Sequence, residues 1–201
     1  MTDPALRWSA LHAGIVPSSV PLLEPWLRTL WWLARPLARW HIPPTLLTMF
    51  GVVLASDALF LASTAPLAAA ACVVLAVVCD GLDGAVAVVG AGGSRGGALA
   101  DAVADRISDL AFGLVIWRCG APLWLAGCAS ALAVAVDVVR RLRGGAVRAR
   151  ITVGERPTWM ICATLACVCA AVSDATWPPT VCASVACAAG VIAVGQVALS
   201  R

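Results

Sequence analysis

The sequence predicts an all-α polytopic membrane protein, with six transmembrane helices and an N-terminal amphipathic helix lying on the bilayer surface. Three observations carry this. The 201 residues are 61% hydrophobic and only 12% charged, and the mean hydropathy is +0.92; so little polar surface cannot cover a water-soluble globule. From residue 44 onward, apolar runs repeatedly reach the ~20 residues that cross ~30 Å of hydrocarbon. The basic residues, all of them Arg, fall almost entirely on one side of the membrane once those runs are threaded through it. Absence of Lys and Tyr beside abundant Ala reads first as coding bias of a GC-rich genome.

The chain divides into a lead-in with a surface helix over residues 1–43 and a membrane domain over 44–201. Pro4, Pro17 and Pro21 make residues 1–21 irregular. From Leu22 to Trp40, the residues Trp26, Leu30, Leu33 and Leu37 recur at helical spacing with Arg28, Arg35 and Arg39 on another side. Four Trp in that stretch suit the headgroup level, so the expected element is an interfacial helix, kinked or split at Pro36. Packing of the same apolar face on a partner is the alternative. No cleavable signal peptide is expected, because the first apolar stretch is interrupted by Arg and Pro.

His41-Ile-Pro-Pro44 ends that helix, and spans are predicted over about 44–63, 67–88, 98–117, 123–139, 157–173 and 180–199. Gly90–Gly97 is Gly-rich and reads as a loop, as do Gly120-Ala121-Pro122, the Arg-rich segment 140–156 and Asp174–Pro179. With the N-terminus cytoplasmic, every Arg but Arg106 and Arg118 lies inside, so both termini and the 90–97 loop are predicted on the cytoplasmic side of a plasma membrane, in a bacterial cell. The nine Cys form no CxxC pair and no Cys/His cluster of zinc spacing; those in apolar runs read as small packing residues.

Asp80, Asp83, Asp101 and Asp105 stand in otherwise apolar segments on either side of the 90–97 loop. On helices, the first pair shares a face at i, i+3 and the second at i, i+4. Asp80 and Asp105 lie roughly 12 Å inward from the cytoplasmic helix ends at ~1.5 Å per residue. Four carboxylates in one small apolar volume call for a cation, and oxygen-only ligands suit Mg2+, Mn2+ or Ca2+ rather than zinc. Pairing each Asp with an Arg is the bland alternative, but only Arg106 is close in sequence. An ion or proton pathway is another, though it leaves Gly81, Gly84 and Gly97 unexplained, which sit where a ligand would approach the backbone. Asp109 extends the Asp101–Asp105 face and is expected to pair with Arg106; Asp57, His12 and His41 receive no role.

The pattern Asp80-x2-Asp83-Gly84-x2-Ala87, then Gly97-x3-Asp101-x3-Asp105, resembles the signature of the CDP-alcohol phosphatidyltransferases, and the architectural likeness extends over about residues 40–200. Upstream, Ile42-Pro-Pro-Thr45-Leu-Leu-Thr48 resembles the stretch that opens the family's first span. The resemblance implies transfer of a substituted phosphoryl group from a CDP-linked donor to an alcohol with release of CMP. It implies that Asp80, Asp83, Asp101 and Asp105 hold two divalent cations, Mg2+ or Mn2+, and that Asp105 is the general base. Thr45, Thr48, Gly84, Ala87, Ser94 and Gly97 match positions lining the nucleotide site, and a homodimer is implied.

One position departs from the pattern: the family has Arg after Ala87, and this chain has Val88. Arg95 is the substitute nearest in sequence; a differently held donor and reduced activity are the other options. Arg148, Arg150 and Arg156 suggest an acceptor or phosphate subsite, against a reading as topology determinants that attract anionic headgroups. The function expected is therefore a phospholipid-synthesising transferase acting on CDP-diacylglycerol, or a related CDP-linked donor, and a polar alcohol, with no nucleic-acid partner. A cation-binding transport protein using the same carboxylates and a non-catalytic family relative are the alternatives.

Overall fold

A computed structural model of the chain describes residues 23–90, 95–143 and 156–199, together with Ser9 and Thr152. Seven α-helices and no strand occur among the described residues: α1 Leu23–Arg39, α2 Pro44–Leu61, α3 Pro66–Val89, α4 Arg95–Arg118, α5 Leu123–Arg143, α6 Arg156–Val172 and α7 Trp177–Leu199. Four of them, α2, α3, α5 and α7, are long and apolar enough to cross a membrane. The chain is an integral membrane protein. Helix α6 is apolar but shorter, and α4 falls outside this group because Asp101, Asp105, Arg106 and Asp109 interrupt its apolar sequence.

Each predicted span overlaps one of the helices α2 to α7, and the departures occur at their ends. Helix α4 begins at Arg95 rather than after Gly97. Glycine costs least in a first turn, where the amide groups have no helical acceptor to begin with. Helix α5 continues through Arg140 to Arg143 instead of ending near residue 139. Helix α7 starts at Trp177, with Pro178 and Pro179 in its first turn, where a missing N–H is harmless. Residues 1–8 and 10–22, which hold most of the lead-in, lie outside the described residues.

Helix α1 is not split at Pro36. It runs unbroken to Arg39, since Pro36 removes one hydrogen bond close to the end, and the next turn closes by Trp40 N–H donating to the Pro36 carbonyl at 3.0 Å. His41 then takes a left-handed conformation (φ 55°), which turns the chain into α2. The buried face of α1 is Leu27, Leu30, Trp31 and Ala34, which packs on Ala85 and Val86 of α3. Trp32 and Trp40 are exposed. The apolar face is thus rotated slightly from the predicted Trp26–Leu37 stripe, and it rests on the bundle itself.

Helix α4 sits centrally, packing against α2, α5, α6 and α7. The core is built mainly of Ala, Cys and Val around Phe112 and Ile116. Small residues permit close backbone approach, and α4 meets α5 so tightly at Gly113 that a Cβ there would lie 1.9 Å from Ser130 Oγ. Cys79, Cys119, Cys162 and Cys167 are buried in this core as free thiols, in keeping with a packing role. Leu46, Met49, Phe50, Val53, Phe60, Leu110 and Ile192 point outward, the arrangement of a bundle solvated by lipid rather than water.

Candidate metal centre

The acidic residues gather at one end of the bundle. Asp80 and Asp83 lie in the second half of α3, while Asp101, Asp105 and Asp109 lie in the first two-thirds of α4. Thr48 comes from the start of α2 and Arg156 from the start of α6. Carboxylate oxygens of Asp80, Asp101 and Asp105 all lie within 4.8 Å of one another. Ligand atoms on one Mg2+ ion stand about 3.0 Å apart when adjacent and about 4.2 Å apart when opposite, so the trio would contract to hold one. The donor set, all hard oxygen, fits Mg2+ or Mn2+ and does not fit zinc.

Asp83 is 6% exposed and accepts a 2.6 Å hydrogen bond from the Thr48 hydroxyl. That contact ties α2 to α3 and fixes the Asp83 carboxylate beside the trio. Thr48 therefore touches an acidic residue directly. Thr45, Ala87 and Gly97 are half-buried, while Gly84 is exposed, and a Cβ added at Gly84 would meet nothing within 4 Å. Gly81 has a different cause from the one expected: a Cβ there would come within 2.7 Å of Leu30, so its bare backbone admits α1. Val88 is buried. Ser94, Arg148 and Arg150 lie outside the described residues, as does the side chain of Arg95.

Arg156 is the residue whose position sequence reasoning did not foresee. Its Nη1 donates to Asp80 Oδ1 at 2.6 Å and to Asp105 Oδ1 at 2.5 Å, and its Nε to Asp109 Oδ1 at 3.3 Å. Separations of 47 to 76 residues kept these pairs from view in the sequence. Asp109 does pair with Arg106, at 3.4 Å, and Arg106 also reaches Asp137 of α5 at 2.9 Å. Among the described residues, Arg106 and Arg156 reach Asp80, Asp105, Asp109 and Asp137, while Asp83 and Asp101 add further carboxylates to the cluster. Thr48, Asp80, Asp83, Asp105, Ser108 and Arg156 line a pocket floored by Ala76 and Phe112.

The sequence profile described as CDP-alcohol phosphatidyltransferase matches residues 40–199, which includes every helix but α1. The chain belongs to that family. Among curated relatives of this family member, the phosphatidylinositol phosphate synthase of Mycobacterium bovis is 43% identical over 96 residues, or 47% of this chain and 42% of that protein. The Mycobacterium marinum synthase is 44% identical over 88 residues, covering 42% of this chain and 38% of that protein. The matched stretch thus spans about two-fifths of the length of these relatives.

Two solved structures of the Mycobacterium tuberculosis phosphatidylinositol phosphate synthase share the fold. One, with CDP-DAG bound, has a TM-score of 0.65 at 27% identity, covering 87% of this chain and 98% of the other. The second, in complex with manganese and citrate, has a TM-score of 0.62 at 26% identity, covering 86% and 92%.

Proposed function

We propose that this CDP-alcohol phosphatidyltransferase family member transfers a phosphatidyl group from CDP-diacylglycerol to a polar alcohol and releases CMP. The observation that carries this is the convergence of the Asp80, Asp101 and Asp105 oxygens within the family's own motif. Two divalent cations, Mg2+ or Mn2+, would neutralise the negative charge of the clustered carboxylates. When bound, they supply charge stabilisation for the donor diphosphate and for the attacking and leaving oxygens. Asp80, Asp83 and Asp101 would serve as ligands, with Thr48 orienting Asp83. Asp105 would complete the second site and accept the proton of the acceptor hydroxyl, which leaves the nucleophile activated beside the phosphorus.

For the donor, Thr45, Gly84, Ala87 and Gly97 would line the nucleotide subsite, where the bare Gly84 backbone allows close approach. Ser94 and Arg95 would close it from the neighbouring segment. Arg148, Arg150 and Arg156 would supply a phosphate-binding side for the acceptor. The names of the relatives make a phosphorylated inositol the first acceptor to test. All six helices from α2 to α7 would span a bacterial plasma membrane with both termini cytoplasmic. Helix α1 would lie at the interface, its exposed Trp32 and Trp40 at headgroup level, and two copies would pair as a homodimer.

The deciding experiment incubates purified protein and Mn2+ or Mg2+ with CDP-diacylglycerol and a panel of alcohols, and follows CMP. Metal-dependent CMP release is expected with one acceptor and should fall at least ~10²-fold in Asp105→Asn, the usual scale for a general base. Turnover unchanged in that variant removes Asp105 from its role. Cation flux into liposomes without CMP release would favour transport instead. Single-cysteine variants on a background with the native Cys replaced test the topology. Residues 174 and 201 should label from opposite faces of the membrane, and labelling from one face contradicts six spans.

A further inference from the structure

Arg156 stands where a cation would act. A single nitrogen, Nη1, bridges Asp80 Oδ1 and Asp105 Oδ1 at 2.6 and 2.5 Å, and both carboxylates belong to the converging trio. An ion shared by those two oxygens would stand about 2.1 Å from each, which leaves no room for Nη1 between them. The two positive centres would also repel at that range. The third contact of the guanidinium, Nε to Asp109 Oδ1 at 3.3 Å, lies one helical turn beyond Asp105. Asp109 is 6% exposed and is braced by Arg106. The Arg156 side chain keeps 25% of its surface exposed.

We propose that Arg156 is a tethered countercation that competes with the metal. Without a divalent ion it bridges Asp80 and Asp105 and holds α3, α4 and α6 together against carboxylate repulsion. Guanidinium suits this task because it stays charged in any protein environment. Metal binding withdraws Nη1 from the pair, while Nε keeps its hold on Asp109 as a pivot. Metal loading and release of the Arg156 head are then one equilibrium, and the apparent metal affinity is lowered by the strength of the Arg156 contacts. This rests on the metal reading of the acidic cluster proposed above.

Two measurements test it. Mn2+ titration of detergent-purified protein, followed by the electron paramagnetic resonance signal of free Mn2+, compares wild type with Arg156→Gln. The variant should bind Mn2+ about tenfold more tightly, since a competing charge has been removed, and it should melt at a lower temperature in EDTA. Equal or weaker Mn2+ binding by a folded variant overturns the proposal. The second measurement needs no variant: phenylglyoxal modification of wild type, mapped to the peptide carrying Arg156, should proceed faster in saturating Mn2+ than in EDTA. An unchanged or slower rate overturns the proposal even if Arg156→Gln fails to fold. Wild-type protein that binds no Mn2+ sinks the metal reading together with this one, whereas Mn2+ binding to which Arg156 is indifferent sinks only the competition.

Discussion

At the scale of single residues, the acidic centre works through contacts of unequal visibility. Asp80, Asp83, Asp101 and Asp105 stand out in the sequence because a carboxylate in an apolar run is costly and needs a reason. What each one touches does not stand out. Thr48 lies 35 residues from Asp83, yet donates to it at 2.6 Å. Thr48→Val should cost about 1.5–3 kcal/mol, the worth of a hydrogen bond to a charged group, read as a lower unfolding temperature in metal-free detergent. Thr48→Ser should retain most of the stability; loss in Thr48→Ser with none in Thr48→Val would assign the effect to the methyl group instead. Arg156 looked like one of several loop cations in the sequence and proves to be the partner of three aspartates.

Between elements, fit is decided by where side chains are missing. Gly113 lets α4 and α5 touch: a Cβ there would meet Ser130 Oγ at 1.9 Å and the Ala126 carbonyl at 3.2 Å. Gly113→Ala should therefore destabilise by about 1–3 kcal/mol, the usual cost of overpacking. Gly127→Ala, where nothing lies within 4 Å, should be neutral or gain up to about 1 kcal/mol from helix propensity. Thermal melts of the two variants side by side check this, and equal melting temperatures would deny the tight crossing. Gly81 follows the same logic at the α1–α3 contact with Leu30. Periodicity marked α1 as amphipathic, but it could not tell whether the apolar face meets lipid or protein, because both are apolar partners.

For the whole molecule, the acidic end of the bundle is a stability liability that the proposed cations would relieve. Mn2+ at a hundredfold excess over its dissociation constant should stabilise wild type by about 2.7 kcal/mol, seen as a higher melting temperature. The double variant Asp80→Asn/Asp101→Asn should lose most of this response; a full response there would move the metal elsewhere. The sequence by itself determined the all-α class, the helix positions to within a few residues and the acidic motif, because all three depend on local period, composition and spacing. Helix ends at Arg95, Arg143 and Trp177 escaped it, since termini depend on which backbone groups find partners. Only the tertiary structure decided that α1 docks on α3, that Gly81 serves packing and that Arg156 enters the acidic cluster. Those outcomes turn on residues far apart in the chain, which are brought together by helix packing rather than by any local preference.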